Sequence, residues 1–164
     1  MRIAILTVSD ACARGLRHDA SGQAAEDWAV TQGYRVVERR VVPDDSVEIV
    51  RALLSWCDTD AVDLVLTTGG TGLSPRDNTP EATRVVLERE APGITERIRA
   101  GERERFPRAA LSRAVAGSRA RTLIINLPGS PSGVVDSVVS LTPILAHAVA
   151  IVRGSATDHS VVVP

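Results

Sequence analysis

Residues 62–72 read VDLVLTTGGTG, an apolar run that passes directly into a glycine-rich loop. The first part, 62–67, is short and almost entirely apolar or β-branched, which predicts a strand buried on both faces. The glycines that follow, Gly69, Gly70 and Gly72, permit a sharp turn and a close approach of the backbone to a ligand. A fully buried strand that ends in such a loop is typical of an α/β protein with a parallel sheet.

The rest of the chain repeats this arrangement. Further strands are predicted at 2–8, 34–42 and 121–126. Helices are predicted at 22–32, 47–57, 79–90, 94–105 and from Pro131 to just before Gly154, the last interrupted near Pro143. Ser21, Asp45 and Thr79 are the expected N-caps of the first three. The alternation predicts an α/β fold class: a single three-layer domain with a mostly parallel open sheet and helices on both faces. We expect this domain to comprise residues 1–154 and to be followed by a loose C-terminal tail, 155–164.

Length and composition exclude several classes of protein. With 164 residues the chain suits one domain and is shorter than the roughly 250 residues of a TIM barrel. Its content of 44% apolar and 24% charged residues excludes a disordered chain. All 19 basic residues are arginine, so a Walker A loop and a Schiff-base enzyme, which both need lysine, are excluded. A net charge of −1 and only four aromatic residues argue against a nucleic-acid-binding protein.

The cysteines and the apolar segments bear on the cellular compartment. Cys12 and Cys57 have no CxxC spacing and form no disulfide framework, which indicates a reducing environment. The start of the chain lacks the charged region and cleavage site of a signal peptide. The longest apolar stretch near the C-terminus, 144–152, has nine residues, whereas a membrane span needs about 20. This apolar stretch contains His147, which we expect to lie in the core or at an interface. We therefore expect a cytoplasmic protein with no membrane association.

Polar, acidic or glycine-rich residues follow each of the four predicted strands. In an open α/β sheet, ligands bind beyond the carboxyl ends of the strands, which meet at one edge. The residues that follow the strands are Ser9 and Asp10, then Asp44 and Asp45, then the loop 69–77, and finally Asn126, Pro128, Gly129 and Ser130. The sequence therefore predicts one binding site built from all four connections.

Two of these connections have the composition of phosphate-binding loops. In TTGGTG (67–72), successive N–H groups and the hydroxyls of Thr68 and Thr71 predict an anion-binding concavity, with an ordinary tight turn as the alternative. In NLPGSP (126–131), Ser130 marks a helix start, whose N–H groups and dipole favour anions; a simple capped helix is the alternative. Neither loop is GxGxxG, so nicotinamide cofactors are not indicated. Together they predict a ligand with phosphates or several anionic groups.

Asp44 and Asp77 are the candidate catalytic carboxylates. Mg²⁺ characteristically takes one or two carboxylates together with substrate phosphates. Two aspartates beside two phosphate-binding loops predict metal-assisted transfer at phosphorus. A loop aspartate is otherwise most often a cap or turn residue, which is the expectation for Asp45.

The other candidate residues give weaker indications of a catalytic or binding role. No base is adjacent to Cys12, and the serines lack the GxSxG elbow of a serine hydrolase. Ser112 and Arg113 are expected to contact an anion, or Arg113 to pair with a neighbouring acid. The charged run 101–108 is expected to be a solvated helix face.

Together these motifs resemble the MogA/MoaB family of molybdenum-cofactor biosynthesis, to which the gephyrin-type G domains also belong. The resemblance extends from about residue 2 to residue 154. The matching segments are SD (9–10), PDD (43–45), TTGGTGLSPRDNTPEA (67–82), PG (92–93), LSRAVAG (111–117) and NLPGSP (126–131). The long central motif is specific, whereas each of the others would be weak alone.

The resemblance implies a molybdopterin adenylyltransferase, which transfers AMP from Mg-ATP to the terminal phosphate of molybdopterin and releases pyrophosphate. It implies that Asp44 and Asp77 are the essential acids, and we expect them to hold Mg²⁺. It also implies substrate contacts by Asp10, Thr68, Gly69, Gly70, Thr71, Gly72, Ser74, Asn126, Pro128, Gly129 and Ser130.

The implied partners are molybdopterin, ATP, a downstream metal-insertion protein and further copies of the chain, in a homotrimer or a hexamer. Neither nucleic acid nor a membrane is expected. One alternative is a non-catalytic, MoaB-like paralogue that binds molybdopterin as a binding or scaffold protein, which an assay for pyrophosphate release distinguishes. A generic Rossmann-like phosphate-binding protein fits the spacing but leaves PRDNTPEA (75–82) unexplained.

Overall fold

The structure, a computed structural model, describes residues 1–102 and 106–155. These residues form six strands: β1 (Arg2–Val8), β2 (Arg35–Val42), β3 (Leu64–Thr68), β4 (Arg89–Glu90), β5 (Ala116–Arg119) and β6 (Thr122–Leu127). The helices are α1 (Asp10–Ala13), α2 (Ala20–Thr31), α3 (Ser46–Cys57), α4 (Thr79–Val86), α5 (Pro92–Glu102) and α6 (Pro131–Val152), with a 3₁₀ helix at Pro107–Leu111. The expected tail lies, apart from its first residue, outside the described residues, as does the end of the helix predicted at 94–105.

The strands form one sheet in the order β2-β1-β3-β6-β5-β4. The four strands predicted from the sequence are mutually parallel, whereas β5 runs antiparallel to both β6 and β4. The mostly parallel open sheet is therefore confirmed. Neither β4 nor β5 was predicted, because both are short and lack an apolar run: β5 reads AGSR and β4 reads RE.

Alternate residues of β1 point to opposite faces of the sheet and so into two separate cores. Ile3 and Ile5 pack with α2, α5 and α6, while Ala4 and Leu6 pack with α3 and α4. Helices thus cover both faces, which confirms the three-layer arrangement.

Two helix starts differ from the predicted ones. Asp19 caps α2 by accepting a hydrogen bond from the N–H of Gly22 at 2.8 Å, whereas the predicted cap, Ser21, is buried within the helix. Asn78, not Thr79, is the N-cap residue of α4. The third prediction is confirmed, because Asp45 caps α3 by accepting from the N–H groups of Val47 and Glu48.

Helix α6 is continuous over 22 residues, so the interruption predicted near Pro143 is wrong. Pro143 and Val139 are both exposed, so water can satisfy the carbonyl that the proline leaves without a helical donor. By length and composition alone α6 could cross a membrane, but its buried stripe packs on the sheet. His147 is exposed on this helix, so of its two expected positions the core is wrong and the interface stays a prediction.

The C-terminal end of α6 is fixed at the sheet edge opposite the strand-end loops. Arg153, its C-cap residue, forms ion pairs with Asp60 at 2.9 Å and Asp63 at 2.8 Å. Asp63 also pairs with Arg2 at 2.8 Å, at the start of β1. Both ends of α6 are therefore tied to the sheet, since its first turn begins in the loop after β6.

Candidate functional site

A polar cavity of about 310 Å³ opens between the carboxyl ends of β1 and β3. From these neighbouring strands the chain continues to opposite sides of the sheet, which makes this the topological switch point where open α/β sheets bind ligands. The cavity lining brings together five of the predicted site residues, namely Asp44, Asp77, Gly69, Gly70 and Gly129. The two candidate carboxylates therefore share one cavity within a single chain.

Asp44 is held by an exchange of hydrogen bonds with Asp10. The backbone N–H of Asp10 donates to Asp44 Oδ2 at 2.8 Å, and the N–H of Asp44 donates to Asp10 Oδ1 at 3.1 Å. The other oxygen of Asp10 accepts from the guanidinium of Arg76 at 2.6 Å and 3.2 Å. This hydrogen bond from Arg76, with the one from the Asp44 backbone, lowers the pKa of Asp10. Asp10 is not among the residues that line the polar cavity in the described part of the chain, and its contacts join the loops after β1, β2 and β3.

Asp77 closes a turn within the SPRD segment. Its Oδ2 accepts from the N–H of Ser74 at 2.8 Å, and its own N–H donates to the Ser74 carbonyl at 2.9 Å. A methyl group at Gly72 would lie 2.9 Å from Asp77 Oδ2, and one at Gly70 would lie 3.2 Å from Asp44 Oδ1. Both carboxylates therefore approach the glycine loop so closely that it has no room for side chains.

The glycine loop presents unused backbone donors. Gly69 and Gly70 have positive φ angles of 94° and 62°, a conformation that favours glycine. The N–H groups from Gly69 through Gly72 donate no hydrogen bond within the described residues, and neither do those of Gly129 and Ser130. Such free donors next to one another suit the oxygens of a phosphate group.

The two loops at this edge are in direct contact. The Thr68 hydroxyl donates to the Pro128 carbonyl at 2.6 Å. A methyl group at Gly129 would lie 3.1 Å from the Cα of Gly69, so the two backbones pack against each other with no side chain between them. The loops therefore form one continuous surface.

A second, less polar cavity of about 260 Å³ lies beside the same loops. It collects the predicted site residues Thr71, Gly72, Asn126, Pro128 and Ser130. The other wall of this cavity was not predicted from the sequence. It comes from α5 and the 3₁₀ segment and includes Thr95, Ile98, Arg99, Phe106 and Leu111. Leu111 begins the matching segment LSRAVAG (111–117), but no motif marks the other four, because their position at the site depends on how α5 packs beside β6.

Several predicted substrate contacts have polar atoms that already bind within the protein. Asn126 is fully buried, and its amide donates to the hydroxyls of Thr67 and Thr83 at 2.9 Å each. Its Oδ1 accepts from the N–H of Val115 at 3.2 Å. The Ser130 hydroxyl accepts from Gly133 at 3.1 Å and caps α6. The backbone N–H of Asn126 is used as well, since it donates to the Val115 carbonyl at 3.0 Å. At Ser130 the backbone N–H, not the hydroxyl, is available to a ligand.

Arg113 fixes the far side of the glycine loop. Its guanidinium donates to the carbonyls of Gly72 and Asp77 at 2.6 Å each and forms an ion pair with Glu81. Its N–H donates to the Thr71 carbonyl at 2.9 Å. Of the two roles expected for Arg113, the structure has the pairing with an acid.

The two cysteines lie in different surroundings. Cys57 is buried in the core, and this burial raises the pKa of its thiol to about 11, so it remains protonated. Cys12 is half-buried and lines the polar cavity together with Arg17 and His18. These three residues were not predicted to belong to the site, because nothing in the loop sequence indicates that the loop folds back over the end of β1.

The fold and the site define an open-sheet α/β protein with a polar cavity at the carboxyl ends of its parallel strands. Residues 4–147 match the family model described as "Probable molybdopterin binding domain". The chain belongs to this family, and the resemblance to the MogA/MoaB proteins is confirmed.

Among similar proteins, a molybdopterin adenylyltransferase of Helicobacter pylori is 36% identical over 157 residues, which cover 94% of this chain and 89% of that protein. The chain is 40% identical over 150 residues to the molybdenum cofactor synthesis protein cinnamon of Drosophila melanogaster. That match covers 88% of this chain and 24% of cinnamon, so the chain spans about a quarter of that protein. The crystal structure of the molybdopterin biosynthesis enzyme MoaB from Thermus thermophilus superposes with a TM-score of 0.88 at 48% identity, covering 93% of this chain and 96% of that one.

Proposed function

We propose that this chain is a molybdopterin adenylyltransferase, which transfers AMP from Mg-ATP to the terminal phosphate of molybdopterin and releases pyrophosphate. The observation that carries the proposal is the shared polar cavity, in which Asp44 and Asp77 lie against a glycine loop with free N–H groups. The relatives named as adenylyltransferases support the same activity.

The two cavities suit two different parts of the substrates. The polar cavity, with its carboxylates and free backbone donors, suits phosphate groups. The second cavity, with Ile98, Phe106 and Leu111 in its wall, suits a flat heterocyclic ring. Since both cavities border the same glycine loop, two substrates bound in them would bring their phosphates together there.

The carboxylates fit a magnesium ion that arrives with the nucleotide. Within the described residues no third Asp, Glu, His or Cys joins Asp44 and Asp77 in a metal-binding group. Two hard oxygen donors with the remaining positions left to phosphate and water are what Mg²⁺ prefers. When bound, the ion would offset the negative charge of the reacting phosphates.

The reaction needs no protein base. An oxygen of the molybdopterin phosphate forms the new bond to the α-phosphorus of ATP, and the bond from that phosphorus to pyrophosphate breaks. A phosphate monoester has a second pKa of about 6, so the attacking oxygen is already ionised at neutral pH. The N–H groups of the glycine loop would stabilise the charge that develops on the α-phosphate.

The test is pyrophosphate release by the purified chain given molybdopterin and Mg-ATP, with EDTA and the Asp77→Asn variant as controls. We expect release that requires molybdopterin, magnesium and the aspartate. Binding of molybdopterin without any release would instead assign the chain the non-catalytic binding role.

We further propose that the chain acts in the cytoplasm as a homotrimer, with a hexamer as the alternative, and hands its product to a metal-insertion protein. Support for self-association comes from α6, where Val135 and Val139 lie one turn apart and are 45% and 61% exposed. Light scattering after size-exclusion chromatography measures the oligomer, and Val139→Glu should shift it toward the monomer.

A further inference from the structure

Arg17 lines the polar cavity and has no acidic partner within the described residues. It lies in the connection between α1 and α2, and one nitrogen of its guanidinium donates to the Ser9 hydroxyl at 3.0 Å. A guanidinium carries five N–H donors, so most of them are left for another acceptor.

Three other arginines near this edge are neutralised. Arg76 pairs with Asp10, Arg113 pairs with Glu81, and Arg39 pairs with Asp19 and Glu26. Arg17 therefore differs from them, since it brings an uncompensated positive charge to a cavity that also contains Asp44 and Asp77.

Ser9 holds this charge in place. It is 8% exposed, follows β1 directly, and accepts from the N–H of Cys12 as well as from Arg17. The hydroxyl thus holds the guanidinium beside the carboxyl end of β1.

The cavity needs such a cation for a polyphosphate ligand. Two carboxylates repel the phosphates, and a single Mg²⁺ offsets only part of the combined charge. The chain contains no lysine, so an arginine must supply any further side-chain cation. A guanidinium binds phosphate oxygens through two parallel hydrogen bonds.

We propose that Arg17 binds the phosphate chain of the nucleotide and stabilises the pyrophosphate as it leaves. This inference rests on the adenylyl transfer proposed above. When the bond from the α-phosphorus to the bridging oxygen breaks, the electron pair stays on that oxygen. Arg17 donates hydrogen bonds to the departing oxygens and transfers no proton.

The experiment compares Arg17→Ala and Arg17→Lys with Arg14→Ala. Arg14 lies in the same loop, is exposed, and does not line the polar cavity within the described residues. Its replacement therefore removes the same charge from the loop without changing the lining of the cavity. Binding of ATP and of inorganic pyrophosphate is measured by calorimetry at low and high salt, and AMP transfer is measured in parallel.

We expect Arg17→Ala to weaken both ligands by about 10- to 100-fold, the usual loss for hydrogen bonds to a charged group. The loss should shrink at high salt because the interaction is electrostatic. Arg17→Lys should recover part of the affinity, and Arg14→Ala should bind like the parent protein. A role limited to holding the loop through Ser9 would show neither the salt dependence nor the recovery by lysine.

Unchanged binding of ATP and pyrophosphate in Arg17→Ala would overturn the inference, even if the parent protein transfers AMP. Failure of the parent protein to bind either ligand would overturn it as well. Binding that depends on Arg17 in a protein that releases no pyrophosphate would uphold Arg17 as a phosphate-binding residue and refute the proposed transfer.

Discussion

Asp10 and Asp44 exchange backbone-to-carboxylate hydrogen bonds, at 2.8 Å to Asp44 Oδ2 and 3.1 Å to Asp10 Oδ1. This exchange fixes the loop after β2 against the loop after β1. It occupies Oδ2 of Asp44, while Oδ1 approaches the glycine loop at Gly70. One oxygen of Asp44 therefore positions the carboxylate, and the other is oriented toward the cavity.

Asp44 and Asp45 should respond differently to substitution. Asp44→Asn removes a charge from the cavity, so we expect AMP transfer to fall at least about 100-fold with little change in stability. Asp45→Ala removes the cap of α3 and should cost about 1 kcal/mol of stability while transfer is retained. Pyrophosphate release and thermal melting measure the two effects. Equal loss of activity in both variants would contradict the assignment of separate roles.

Asp77→Asn should abolish AMP transfer and leave molybdopterin bound. The asparagine oxygen can still accept the N–H of Ser74, so the turn is kept while the negative charge is lost. Pyrophosphate release and molybdopterin binding are measured on the same preparation. Turnover retained in this variant would remove Asp77 from the mechanism.

Gly70→Ala should disable the site, because Gly70 has a φ of 62° and a methyl group would lie 2.4 Å from the Thr79 hydroxyl. Strain of this kind costs about 1–3 kcal/mol, and displacing the loop also moves the donors beside Asp44. We expect weaker nucleotide binding, measured by calorimetry. Gly93→Ala is the matched control, since no atom lies within 4 Å of its added methyl group. Similar affinities in the two variants would argue against the loop as a phosphate-binding element.

Arg76→Ala should raise the pKa of Asp10 toward its ordinary value of about 3.9, because the Arg76 hydrogen bond is the main cause of the depression. A depressed native pKa stabilises the fold above the unfolded pKa, and this contribution is lost as pH falls through the native value. When the pH is lowered from neutral to below about 4, the free energy of unfolding should therefore fall less in the variant than in the parent protein. Carboxyl NMR titration reads the pKa directly, and an unchanged value would rule out Arg76 as its cause.

Arg113→Ala should slow AMP transfer by about 10-fold or more and lower the melting temperature, since two loop carbonyls and Glu81 lose their donor. Arg113→Lys should not restore activity, because one ammonium group cannot reproduce the planar arrangement of donors. The control is Arg51→Ala, which breaks an exposed ion pair with Glu48 on α3. It should change neither the rate of AMP transfer nor the melting temperature. Full activity of Arg113→Lys would show that charge alone suffices.

The parts of the fold that follow from local pattern were predictable from the sequence. Three of the four parallel strands, β1, β3 and β6, are mostly apolar runs, and β2 (RVVERRVV) is marked by its valine pairs. Asp45 stands directly before the amphipathic helix that it caps. β4 and β5 were not predictable, because only pairing with β6 and with each other makes AGSR and RE extended. The cap of α2 was misassigned, since Asp19 and Ser21 are both good cap residues and only the contacts of Asp19 with Thr7 and Arg39 distinguish them.

The candidate site was predictable as a set of loops and less so as a set of side chains. Strand order alone brings Asp44, Asp77 and the glycine loop to one edge. The sequence could not reveal that Asn126 is used entirely for internal hydrogen bonds, or that Arg17 returns to the cavity. Both depend on contacts between segments distant in the chain.

The ion pairs that fix the end of α6 limit how the binding edge can open. At 1.5 Å per residue its 22 residues extend about 33 Å, from the loop at Ser130 to Arg153 at the opposite edge. Because α6 is one continuous helix, its first turn can move aside only if the whole helix moves. Such a movement would break the ion pairs of Arg153 with Asp60 and Asp63 and unpack the helix from the sheet. We therefore expect substrates to bind and leave without movement of α6. Amide hydrogen exchange along α6 should be slow and should change little between the free and the substrate-bound protein.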